Sequence, residues 1–80
     1  MRRTLSEIQG AVGPVAWFVR QRRKQAGLTQ EELAARSGVG VRFLKELELG
    51  KTSLQMSKVL EVLQFFGYEL GPTALPEDKR

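Results

Sequence analysis

Cysteine and histidine are both absent from the 80 residues of the chain. Without cysteine there is no disulfide framework and no thiolate metal site. Without histidine the commonest metal ligand and the usual near-neutral acid–base group are missing. Neither a metal nor a cofactor is expected, and no glycine-rich phosphate loop supports an enzyme. Long apolar runs are also lacking, since none approaches the roughly 20 residues that cross a bilayer. Met1-Arg2-Arg3 has the basic start of a signal peptide, but Glu7 and Gln9 interrupt what would be its apolar core. The length fits one domain, and a chain this short buries only about two thirds of its unfolded surface. A partner subunit would therefore help it.

Charge is present but uneven. Thirteen basic residues against nine acidic ones give a formal charge of +4, which says little about partners until the charges are placed. Arg20, Arg22, Arg23 and Lys24 crowd into one stretch, and Glu31 and Glu32 follow close behind. Such a cluster is either a solvated helix face or an anion-binding one.

Helix punctuation gives the chain its organisation. Thr29 with Glu32 three residues on forms a capping box, and Leu33 and Ala34 then share a face before Ser37-Gly38 stops the helix. A second short helix follows Gly40, with Leu44, Leu47 and Val41 on its buried side, and ends at Leu49-Gly50. Two short amphipathic helices joined by a glycine-containing turn read as a helix-turn-helix. Upstream, Gly13-Pro14 starts a helix whose stripe is Val15, Phe18 and Val19, closed by Gly27. Trp17 lies off that stripe, at a broad core edge or at a dimer contact. Downstream, Thr52-Ser53-Leu54-Gln55 forms another capping pattern, followed by Leu54, Val59, Leu60, Leu63 and Phe66 at helical spacings. The predicted helices cover about 14–26, 30–37, 41–49 and 53–66 of a domain spanning 14–67. Residues 1–13 form an arm or short helical turn, and 68–80 a strand stub with a loose tail.

The string TQEELAARSGV, the following helix and the ELGK that closes it resemble the helix-turn-helix of the phage repressor and Cro superfamily, the XRE family. RQRRKQAG before it and TSLQMSKVLEVL after it extend the likeness over roughly residues 15–68. Within that superfamily the pattern is most similar to HipB-like antitoxins. The resemblance implies an all-α, compact domain of four to five helices, lambda-repressor-like, with a short C-terminal strand around Tyr68 and Leu70 that pairs across a dimer. Gly71-Pro72 interrupts that strand early.

The same resemblance distributes roles. It implies that Arg23 and Glu48 form an internal ion pair, so that Arg23 is structural. Gln30, at the start of the second helix, is placed for a backbone phosphate. Arg20, Arg22, Lys24, Lys45, Lys51, Thr52 and Ser53 join it as candidate phosphate contacts. Base contacts fall to Val41, Arg42 and Glu46: Arg42 suits guanine O6 and N7, Val41 a thymine methyl, and Glu46 cytosine N4. An acid at 46 also repels phosphates. Phe43, where relatives carry a small hydroxyl residue, fits a thymine methyl, the core or a protein surface. The last helix carries more apolar residues than one small core needs, so Val59, Leu63 and Phe66 are expected on a homodimer seam with Tyr68 and Leu70.

These readings converge on a cytoplasmic, nucleoid-associated transcriptional repressor bound as a homodimer to double-stranded palindromic operator DNA. The HipB-like resemblance adds the role of autoregulating antitoxin to a HipA-like serine/threonine kinase toxin. A stand-alone or phage-derived regulator is the near alternative, and a helical protein-interaction module using Val41, Phe43 and Leu49 is the distant one. Glu46 and Glu48 do not make a catalytic dyad, because residues two apart on a helix do not face each other.

Overall fold

The computed structural model describes residues 13–75. The expected N-terminal arm, apart from Gly13, and the tail from residue 76 lie outside the described residues. Four α-helices follow in order: α1 (Pro14–Gln25), α2 (Gln30–Ser37), α3 (Val41–Glu48) and α4 (Met56–Phe65). Helix α2 packs on α3 and α4, and α1 packs on α3.

Each start has a local cause. In α1, Pro14 occupies the first turn, where its missing N–H costs nothing. In α2, the Thr29 hydroxyl accepts from the Glu32 N–H and the Glu32 carboxylate accepts from the Thr29 N–H, so the capping box is complete. Gly40 precedes α3 in extended backbone and offers no side-chain cap.

The turn between α2 and α3 depends on Gly38, whose φ of 85° would strain any residue with a Cβ. With Gly38 left-handed, the Val39 N–H returns to the Ala34 carbonyl at 3.1 Å. That closure turns Val39 inward, where it is buried beside Leu33 and Leu44. The core continues through Val19, Leu28, Ala34, Leu47, Val59, Val62 and Leu63. Val15, Phe18, Phe43, Leu54 and Phe66 pack around its edge. Phe43 is thus a core-edge residue, with the Lys58 ammonium 5.9 Å from its ring centroid.

Two expectations are corrected here. The last helix begins at Met56 rather than near 53, and Gln55 stands at its N-cap without a side-chain hydrogen bond. The chain bends through residues 52–54, because Leu54 is drawn against the core. No strand occurs among the described residues of the single chain, which does not bear on the expected pairing across a dimer. Tyr68 turns onto Phe18, edge to face with ring centroids 4.7 Å apart. Finally, Val59 and Leu63, expected on a dimer seam, are 9% and 4% exposed and belong to the monomer's own core. Phe66 is half-buried against that core, while Tyr68 and Leu70 stay exposed.

The capping box makes stability acid-sensitive. The Thr29 backbone N–H, and then its hydroxyl, hold the Glu32 carboxyl below its usual value. A depressed carboxyl stabilises the fold above its unfolded pKa, about 4.3, and the contribution disappears as pH falls through the folded value. The urea midpoint is therefore expected to drop between pH 5 and pH 3, and to drop less in Glu32→Gln. Thr29→Ala is expected to cost about 1 kcal/mol at pH 7. Equal acid sensitivity of wild type and Glu32→Gln would show that the box does not set the acid response.

Candidate nucleic-acid interface

Helix α3 has two chemically distinct faces. Leu44, Leu47 and Glu48 are buried. Arg42, Lys45, Glu46 and Leu49 recur at 3- and 4-residue spacing on the other side. The Arg42 side chain is 94% exposed, and Lys45 is exposed one turn on. Val41, at 36%, sits at the margin of this face. Leu49, 77% exposed, closes it. Leu49 was expected on a contact surface only in the protein-interaction alternative, although its spacing of seven from Arg42 places it on the same stripe.

The helix is fixed in place by Arg23 and Glu48. Arg23 Nε donates to Glu48 Oε2 at 2.8 Å and Arg23 Nη2 donates to Oε1 at 2.9 Å, a bidentate fork. The third guanidinium nitrogen, Nη1, donates to the Leu28 carbonyl at 3.0 Å. Gln30 Nε2 adds a bond to Glu48 Oε1 at 3.2 Å. The side chains of Arg23 and Glu48 are only 13% and 5% exposed. The hydrogen bonds to Glu48 raise the Arg23 pKa above its already high value, against the opposing effect of burial. Gln30 therefore braces the pair from the first position of α2, and its amide is partly engaged inside the protein.

Around this brace lies a shallow cleft of about 370 Å³ lined by Arg20, Arg23, Gln30, Lys45, Glu48 and Leu49. Arg20 and Lys45 line it, and Lys24 is exposed one helical turn after Arg20 on α1. Arg22 does not join them. Its guanidinium lies 5.2 Å from the Tyr68 ring centroid and 5.9 Å from that of Phe18, on the far side of α1. The expected run of phosphate-facing cations is thus divided, with Arg22 held by aromatic faces and Arg23 by Glu48.

Lys51, Thr52 and Ser53 are exposed in the bend after α3. Lys51 Nζ hydrogen-bonds Glu46 Oε2, and Arg42 Nε stands 3.9 Å from Glu46 Oε1. The bond from Lys51 holds the Glu46 carboxyl below its usual value. Glu46, expected to read a base, has a cation on its carboxylate in the free protein. Among the described residues no cluster of three or more acidic groups is placed to hold a metal. No described helix is long and apolar enough to cross a membrane.

The brace has a measurable consequence. Arg23→Met leaves the Glu48 carboxylate buried without its counterion, which typically costs about 3–5 kcal/mol. That is a large share of the roughly 5–15 kcal/mol that holds a small domain folded. Replacing both partners with apolar residues, as in Arg23→Met with Glu48→Leu, is expected to recover most of the loss in urea denaturation. A double variant as unstable as the single one would show that shape and the Leu28 contact, rather than the stranded charge, dominate.

Comparison with known proteins agrees with this geometry. The helix-turn-helix family pattern matches residues 19–72. The HTH-type transcriptional regulator y4mF of Sinorhizobium fredii, itself uncharacterized, is 47% identical over 63 residues, covering 79% of this chain and 82% of that protein. A second uncharacterized regulator from the same organism, y4dJ, is 37% identical over 62 residues, covering 78% and 79%. A toxin-antitoxin module from Streptococcus pneumoniae shares the fold, with a TM-score of 0.61 over 94% of this chain and 97% of that one, at 23% identity. With two thirds of its length inside that pattern and a two-faced α3 braced for presentation, the chain belongs to the helix-turn-helix family of DNA-binding transcriptional regulators.

Proposed function

We propose that this regulator is a homodimeric repressor that lays α3 of each subunit into successive major grooves of a palindromic operator. The grooves would be about 34 Å apart on one face of the duplex. The observation that carries this reading is Arg42, 94% exposed on the solvent face of a helix whose other face is locked into the core. Its fork suits guanine O6 and N7, and Val41 beside it suits a thymine methyl. Arg20, Lys45 and Gln30 line the cleft beside α3 and, with the exposed Lys24, fix register through phosphates. Thr52 and Ser53, exposed after α3, extend the backbone grip. Repression itself needs no chemistry, because occupancy of promoter DNA suffices.

Dimerisation is supported by an apolar surface centred on the start of α1 and the segment after α4. Two adjoining grooves share Pro14, Val15 and Leu70, and reach Met56 on one side and Trp17 with Tyr68 on the other. Met56 is 66% exposed, and Tyr68 and Leu70 are 45% and 39%. A chain this small gains proportionately from covering such a surface.

The finer reading is that the repressor is an antitoxin, restraining a HipA-like serine/threonine kinase by contact and regulating their shared operon. The HipB-like motifs and the fold shared with the Streptococcus pneumoniae toxin-antitoxin module support it. Its test is genetic: a HipA-like kinase encoded beside this gene should arrest growth when expressed alone and not when co-expressed with this protein. Arrest that co-expression does not relieve would leave a stand-alone regulator.

The base-reading assignment is tested separately. Arg42→Ala is expected to lower preference for the protein's own promoter region over scrambled duplex by roughly 1–3 kcal/mol. Lys45→Ala should weaken both duplexes alike and reduce the salt dependence of binding. Titrations of both variants at two salt concentrations decide it. Parallel losses on every sequence would deny Arg42 the role of reader.

A further inference from the structure

Glu46 lies in the middle of the proposed DNA-facing stripe, yet its carboxylate is already occupied. Lys51 Nζ hydrogen-bonds Oε2, and Arg42 Nε lies 3.9 Å from Oε1. The arrangement is built into the backbone. Gly50 adopts a φ of 89°, which ends α3, and the next N–H, that of Lys51, returns to the Glu46 carbonyl at 3.1 Å. This closure needs the left-handed residue at position 50. Main chain and side chain of Lys51 therefore both fold back on Glu46. The Lys51 side chain is 48% exposed, against 94% for Arg42.

We propose that Glu46 is an intramolecular competitor for the DNA backbone, holding Lys51 in the free protein so that duplex binding must exchange a Lys51–carboxylate pair for a Lys51–phosphate pair. The inference rests on the reading of α3 as the DNA-facing helix. Phosphate contacts supply the sequence-independent part of affinity. An acid that occupies one such cation lowers that part for every duplex and leaves base reading to Arg42. Glu46 thereby limits attachment to bulk DNA, where no base contact offsets the exchange. A carboxylate reading cytosine N4 behaves oppositely, since its loss weakens only sites carrying that base. Simple repulsion between Glu46 and phosphate is also distinct, because it does not act through Lys51.

The experiment is a double-mutant cycle of duplex affinity over Glu46→Gln and Lys51→Ala. The duplexes are the protein's own promoter region and a scrambled sequence of equal length. Glu46→Gln keeps the side chain's shape and removes its charge, and thermal melting checks that each variant is folded. Release of an exposed ion pair is expected to tighten wild-type binding about two- to fivefold on both duplexes. The same substitution in the Lys51→Ala background is expected to change affinity little. A gain that persists in full without Lys51 overturns the competitor role in favour of plain repulsion. A loss confined to the promoter duplex overturns it in favour of base reading. Wild-type protein that binds neither duplex refutes the DNA-facing reading itself, an outcome distinct from the other two.

Discussion

The Arg23–Glu48 fork is the constraint on which the placement of α3 depends. Glu48 is the last residue of α3, where a negative charge is unfavourable against the helix dipole. Local helix energetics therefore do not explain it. Its use is tertiary: Arg23 reaches it from the end of α1, and Gln30 from the start of α2. Arg23 also holds the Leu28 carbonyl between those two helices. A single carboxylate thus ties together three helices, each only 8 to 12 residues long. Helices so short are marginal alone, and apolar contact is non-directional. A planar fork with two donors on two acceptors adds the orientation that Leu44 and Leu47 do not supply.

Orientation matters because α3 has little surface to divide. Its eight residues bury Leu44, Leu47 and Glu48 and leave Arg42, Lys45 and Glu46 outward. A rotation by one residue position, about 100°, would carry Arg42 out of line with the cations of α1. The same economy holds for α4. Val59, Val62 and Leu63 are taken by the core, so the exposed apolar residues lie at the two ends of the helix and just beyond it, at Met56, Phe65, Tyr68 and Leu70.

What could be read from the sequence was what is decided locally. The Thr29–Glu32 box and the glycine stop at Gly38 each involve groups a few residues apart, and both are complete in the structure. The failure at α4 obeyed the same local rule: Thr52 and Gln55 have the right spacing, but Leu54 is drawn to the core and the chain bends before helix begins. Tertiary contact also decided Arg22, whose aromatic partner Tyr68 arrives from the far end of the domain. Glu48 was legible only through family resemblance, since no periodic pattern marks a buried acid. Glu46 was visible as an exposed position, but its engagement by Lys51 follows from the turn at Gly50 and not from charge spacing along α3.

These misplacements share a physical lesson about the net charge of +4. Four cations stand close together on α1, yet two of them are engaged by other side chains. Arg23 is neutralised by Glu48 and Arg22 lies over two rings, leaving Arg20 at the cleft and Lys24 exposed one turn on. On α3 and its exit, Glu46 engages Lys51, so Lys45 is left beside the nearly free Arg42. Counterion release scales with the phosphates actually neutralised, not with the formal charge of the chain. In the proposed reading, a small basic domain arranged this way keeps its electrostatic grip on arbitrary duplex modest, and discrimination between sequences falls to the exposed fork of Arg42.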